Sequence, residues 1–175
     1  MNEIIKKNGV LYGIIGGIIS VLILTIIYST DVMLFVSGSI TFLKVSIFTG
    51  ISIFLLVKTK KQLNGFLNFK DCFTTFFIFA SISLLITTIF EIILFNIIDT
   101  GLKETLKELS IKLIVEFLEK FNTPAAKINE AVKNIQENDQ FSIIELSKGY
   151  FSYLVLSSIF GLLLALFFKS KPTQA

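Results

Sequence analysis

Four long apolar runs alternate with polar, lysine-bearing stretches along this chain. The first extends from Val10 to Tyr28, about the 20 residues that an α-helix needs to cross the hydrocarbon layer of a bilayer. Ser29-Thr30-Asp31 breaks it, and apolar sequence then resumes from Val32 to Val57. That stretch is longer than a crossing requires, so the second helix is placed at 37–57, with Val32 to Val36 entering along the interface. A third run covers Cys72 to Ile98 and a fourth Gly149 to Phe168. Strands of a closed barrel would instead show segments of ~10 residues alternating in and out, and no such alternation occurs. The pattern predicts an all-α, polytopic membrane protein: one membrane domain over residues 1–175, with four transmembrane helices and a two-helix insertion between the third and fourth.

The connections sharpen this outline. Lys58, Lys60, Lys61 and Lys70 fill the 58–71 loop, with Asn64-Gly65 as a turn signal. Asn68 suits the N-cap of the third helix, and Asp71 lies in its first turn, where a carboxylate suits the helix dipole. Residues 99–148 differ in kind, with nine acids and seven lysines for a net charge of −2. Leu102, Leu106, Leu109, Leu113, Phe117 and Phe121 recur there at steps of 4, 3, 4, 4 and 4, a helical stripe. Thr123-Pro124 reads as a second helix start with Thr as cap, and Ile128, Val132 and Ile135 mark that helix until Glu137-Asn138-Asp139. Two such helices are too small for an independent core. They are expected to dock on the bundle or to lie on the membrane surface.

Within the spans, small residues recur at four-residue spacing. Gly9, Gly13 and Gly17 open the first, Ser157, Gly161 and Ala165 line the fourth, and Ser46/Gly50 and Ala80/Ser83/Thr87 do the same in the second and third. Small residues at this spacing let helix backbones approach closely, so helix packing is the expected role.

Composition agrees with a membrane protein. Hydrophobic residues make up 53% of the chain and charged ones 17%, against about 25% charged in soluble domains, and mean hydropathy is +0.79. All 16 basic residues are Lys, so bidentate guanidinium recognition of phosphate or bases is excluded, and nucleic acid is not an expected partner. One Cys and no His exclude an internal disulfide and argue against a zinc site. Cys72 reads as a small apolar residue at the start of the third span, and no cofactor is expected. The first apolar run exceeds the 7–15 residues of a signal-peptide core and no A-x-A site follows it, so it reads as an uncleaved anchor. With four spans, Lys6, Lys7, Lys58, Lys60, Lys61, Lys70, Lys169 and Lys171 fall on one side, and the 29–31 loop on the other has no Lys. The positive-inside rule therefore puts both termini and the Lys58–Lys70 loop in the cytoplasm and residues 99–148 outside it. Tyr28, Tyr150 and Tyr153 sit at span ends, where amphipathic rings favour the headgroup layer.

The stretch NGFLNFKDCFTTFFIFASISLLITTIFEIILFNIID resembles the signature region of the domain-of-unknown-function 4199 family of Bacteroidetes (Flavobacteria) membrane proteins. Gly65, Phe69, Lys70 and Asp71 carry the basic turn, Ile98 and Asp99 the end of the following helix, and Gly13-Ile-Ile-Gly16 the opening of the first span. Thr100 stands where many members have Pro, and the resemblance is not carried residue by residue into the 99–148 segment. The resemblance implies architecture and source rather than a mechanism.

Lys44 and Glu91 are the only ionisable residues well inside spans. Each lies seven residues from the same membrane edge, about 10 Å deep at 1.5 Å per residue, so an interhelical pair is geometrically allowed. Charges at such depth need a partner, water or a route to the interface. The functional reading is an ion relay or a small polar ligand site; the structural reading is a packing pair, or two side chains reaching separately to the headgroups. The structural reading is favoured, because no second intramembrane acid, His or broken helix accompanies them. No G-x-S-x-G, phosphate-cradling loop, H-E-x-x-H or paired intramembrane acid is present, so an enzyme is not expected. The leading expectation is a structural or accessory protein acting through interactions, with membrane lipids and either a second copy or an envelope protein as partners. The alternative is a small transporter or channel-like protein using Lys44 and Glu91.

Overall fold

A computed structural model describes residues 2–170 of the chain. Six α-helices follow one another: α1 (Glu3–Thr30), α2 (Gly38–Gln62), α3 (Phe69–Ile93), α4 (Leu102–Lys120), α5 (Ala125–Glu137) and α6 (Ile143–Phe168). A 3₁₀ segment at Val32–Val36 joins α1 to α2, and a π-helical turn at Leu94–Ile98 extends α3. There is no strand among the described residues. Four helical stretches are long and apolar enough to cross a membrane: α1, α2, α6, and α3 with its π-helical turn. The protein is an all-α, polytopic membrane protein.

Each spanning helix overruns its apolar run, because caps rather than hydropathy decide where helices end. The Asn2 side chain accepts the Ile4 N–H at 2.9 Å and starts α1 ahead of its lysines. Asn68 accepts the Asp71 N–H at 2.8 Å, the cap that its position predicts. Ser142 accepts the Glu145 N–H and starts α6 well before Gly149. Asn64 and Gly65 both take positive φ beyond α2, and the Gly65 N–H reaches the Lys60 carbonyl at 2.9 Å, a Schellman-type closure. Asn122 closes α4 in the same way, with the Thr123 N–H donating to the Leu118 carbonyl. That closure corrects the expected Thr123 cap. Thr123 belongs to the end of α4, α5 begins at Ala125, and no side chain caps it.

Helix α3 is the central element. It packs most extensively on α1, then on α6, while α2 rests lightly on α1 and α3. The main core gathers Tyr12, Leu55, Leu56, Phe76, Phe79, Ala80, Leu164 and Ala165, with Cys72 also fully buried. Phe48 from α2 meets Phe79 at 4.8 Å and Phe76 edge-on at 6.1 Å between ring centres. Lipid is as apolar as these side chains, so close van der Waals fit, rather than water exclusion, must hold the spans together. Outward-facing Leu22, Ile26, Phe42, Val45, Leu156 and Phe167 remain exposed, as a bilayer-facing surface requires.

The lysine-bearing ends of the four spans meet at one end of the bundle. There Asn8, 4% exposed, donates to Thr59 Oγ1 at 2.9 Å and to Gln62 Oε1 at 2.6 Å, joining α1 to α2. The Lys58 ammonium donates to the Tyr12 hydroxyl, and Lys60 to the Phe168 carbonyl at the end of α6, both at 3.0 Å. Ser170 receives the Leu67 N–H and donates to the Gly65 carbonyl, pinning the loop to the chain beyond α6. Lys171 lies outside the described residues.

At the opposite end a second core forms. Leu94, Phe95, Leu102 and Leu106 are buried among Tyr28, Val32, Phe35, Val36, Phe90, Leu109, Phe141 and Leu146. Helix α4 therefore docks on the spans through the first half of its apolar stripe. Helix α5 buries no residue and packs on α4.

Candidate functional site

The π-helical turn sets up the end of α3. The Asp99 N–H donates to the Leu94 carbonyl at 2.9 Å, and the wider turn leaves Leu94 and Phe95 buried against the insertion. Such turns add one residue to a helix and are frequent at functional sites. Asn96 donates to the Phe141 carbonyl at 3.1 Å and accepts from Lys103 at 2.6 Å. Asp99 accepts from the Tyr28 hydroxyl at 3.2 Å and from the Leu102 N–H at 3.0 Å. These bonds fix α3, the start of α4 and the approach to α6 relative to one another.

Below this junction lies a cavity of about 300 Å³. Lys44 of α2 and Thr88, Glu91 and Phe95 of α3 line it, together with Leu24, Phe35, Val36, Gln140 and Phe141. Helix α6 contributes Glu145, Leu146, Gly149, Tyr150 and Tyr153. Thr88, Glu91 and Phe95 are spaced i, i+3, i+7 and share one face of α3. Lys44 and Glu91 thus open into a common space, but they do not form an ion pair. The described residues hold three: Lys103–Asp139 at 3.4 Å, Lys133–Glu137 at 3.7 Å and Lys148–Glu145 at 2.6 Å. Neither Lys44 nor Glu91 has a hydrogen-bond partner there, yet no buried side-chain nitrogen or oxygen is left unsatisfied. Both residues line the cavity.

The separation has a structural cause. Helix α2 buries only Ser52, Leu55, Leu56 and Thr59, all in its lysine-bearing half. From Gly38 to Ile51 no residue is fully buried, although Phe48 and Ile51 pack against the main core, and a Cβ at Gly50 would meet nothing within 4 Å, so the Ser46/Gly50 face is not a packing surface. Helix α2 is fastened at one end and leaves space at the other.

The glycine stripe of α1 lies against α3. A Cβ at Gly9, Gly13 or Gly17 would come within 2.7 to 2.8 Å of the Cβ of Ile78, Ile82 or Ile86 respectively. Matching four-residue steps on two parallel helices place a glycine under each isoleucine. Gly16, off that stripe, approaches Ser83 and Phe79. In α6, a Cβ at Gly161 would run into the Phe76 ring, and Ala165 is fully buried, while Ser157 is only half-buried.

Several cavity residues escaped the sequence reading. The residue pattern puts Glu145 in a polar connection and Tyr150 and Tyr153 at the headgroups, whereas the structure brings all three to the cavity. The signal was the spacing Ser142-x-x-Glu145, a helix-start pattern that puts Glu145, Gly149 and Tyr153 on one helical face. The buried Asn8 network also went unread, because its partners come from the far end of another helix. No metal-binding group of His, Cys, Asp and Glu occurs among the described residues.

No curated protein and no solved structure matches the chain. Residues 11–170, which include all four spans and the insertion, match the family described as Protein of unknown function (DUF4199), and the chain belongs to that family.

Proposed function

We propose that this integral membrane protein is an accessory or structural component of a bacterial cytoplasmic membrane that works by presenting the 99–148 segment to another envelope protein. The observation that carries the reading is the contrast between α4 and α5. Helix α4 is anchored by buried Leu102 and Leu106, whereas α5 buries nothing, and the groove beside α4 has an apolar floor of Val36, Leu113, Ile114, Phe117 and Ile135 with Ser110, Glu116, Lys120 and Gln140 also lining it. Phe117 and Phe121, 4.9 Å apart between ring centres, remain 55% and 69% exposed at its end. Exposed aromatic pairs of this kind are common anchors of protein contacts. The lysine-bearing end of the bundle supports an orientation with both termini in the cytoplasm and the insertion outside it.

Crosslinking and pull-down from native membranes tests this. A partner captured by the wild type and lost from Phe117→Ser/Phe121→Ser, with the fold retained, supports the reading. Equal capture by both proteins, or none by either, overturns it. Recovery of the chain alone identifies a homo-oligomer.

A second reading, a small transporter, is favoured by one observation: Lys44 and Glu91 line one cavity without forming an ion pair. It requires flux in proteoliposomes that Glu91→Gln abolishes.

A further inference from the structure

Lys44 and Glu91 stand apart from the other interhelical charges of this protein. Lys58 bonds Tyr12, Lys60 bonds the Phe168 carbonyl, Asp99 bonds Tyr28 and Leu102, and Lys103 bonds Asn96 and Asp139. The two charges deepest in the spans, by contrast, have no hydrogen-bond or ion-pair partner among the described residues, and both line one cavity. Unpartnered charges at that depth are costly, and functional sites are where they are usually found. Around them α2 has no fully buried residue before Ser52, and α3 is braced by the Leu94/Phe95 core.

We propose that the cavity binds a zwitterion of the phosphoethanolamine class, with its anionic group at the Lys44 ammonium and its amine at the Glu91 carboxylate. Sign balance selects this class. An anion alone would meet Glu91 as a repulsive neighbour, and a cation alone would meet Lys44. The third charged lining residue, Glu145, is engaged by Lys148 at 2.6 Å and leaves the balance unchanged. Thr88, Tyr150 and Tyr153 supply hydroxyls for the phosphate oxygens, and Phe95 offers an aromatic ring beside the amine. The volume, about 300 Å³, lies at the small end of ligand pockets and suits a headgroup rather than a larger solute. The source is either a lipid headgroup entering between α2 and α6, which pack sparsely on each other, or a soluble phosphoethanolamine. The inference goes beyond the accessory role and requires no transport.

The test uses the full-length protein in detergent and in nanodiscs, with thermal unfolding and native mass spectrometry as readouts. The probes are phosphatidylethanolamine, phosphatidylglycerol and soluble phosphoethanolamine. Stabilisation and a bound adduct with phosphatidylethanolamine, but not phosphatidylglycerol, identify a lipid site; a response to soluble phosphoethanolamine alone identifies a free zwitterion. In either case Lys44→Gln and Glu91→Gln should each weaken binding at least tenfold, and the double variant little further, because both groups hold one ligand. Each substitution removes a charge from a span, so folding should survive, and the ligand-free unfolding curve checks it. Should either fail to fold, Tyr153→Phe takes its place, with weakened binding expected. No response to either zwitterion, equal binding of phosphatidylglycerol, or unchanged binding by the variants overturns the proposal. Binding without flux removes only the transport reading, and flux that ignores the zwitterion removes only this one.

Discussion

At the scale of single residues, the glycines separate two roles that look alike in sequence. Gly13 has Ile82 pressed against the place where its Cβ would lie, at 2.8 Å, whereas Gly50 has nothing within 4 Å. Gly13→Ala should therefore force α1 and α3 apart, at about 1–3 kcal/mol by the usual cost of overpacking. Gly50→Ala should be neutral, or stabilising by up to ~1 kcal/mol, because alanine is the better helix former. Thermal unfolding of the two purified variants, compared with the wild type, checks the contrast; equal effects would contradict the packing assigned to α1. Asn8 gives a second case. Replacing it with Leu leaves Thr59, which is fully buried, without its partner, a loss of about 1–3 kcal/mol for an unsatisfied buried group. Thr59→Val made together with Asn8→Leu should recover part of that loss, since the pair is then removed as a unit.

At the scale of elements, the insertion divides into an anchored helix and a carried one. Leu106 is fully buried in the second core, so Leu106→Ala should cost about 2–5 kcal/mol of docking. The same change at Leu113, beyond that core, should cost much less. Limited proteolysis reads the difference: cleavage within residues 99–142 should accelerate for Leu106→Ala and remain near wild type for Leu113→Ala. The polar junction contributes here too. Asn96 couples the π-helical turn to the Phe141 carbonyl and to Lys103, so it fixes α3, α4 and the lead into α6 with one side chain.

At the scale of the whole molecule, the lysine-bearing loop, the start of α1 and the end of α6 share one end of the bundle, and the insertion covers the other. The proposed orientation makes a direct prediction. In a Cys72→Ala background, Asn138→Cys should react with a membrane-impermeant thiol reagent in intact cells, and Lys61→Cys only after the membrane is opened. The reverse pattern would invert the orientation, and labelling of both without lysis would contradict a sealed four-span topology. Cys72 itself is fully buried, so the native thiol should stay unlabelled in the folded protein.

The number of spans, their order and the lysine asymmetry were determined by the sequence alone, because apolar runs long enough to cross a bilayer leave few other structures for the chain. The Asn68 cap and the Asn64-Gly65 turn are equally local, each carried by a few adjacent residues. Only the tertiary structure decided which small residues pack. Gly9, Gly13 and Gly17 have isoleucines opposite them, and Gly50, with the same local pattern, has nothing. It also decided that α4 docks, since that depends on Leu94 and Phe95 being presented by a π-helical turn that no residue pattern announced. Lys44 and Glu91 show the division most clearly. Their equal depth follows from counting residues, but the cavity they share is lined from α1, α2, α3 and α6 together, and that is a property of the assembled bundle.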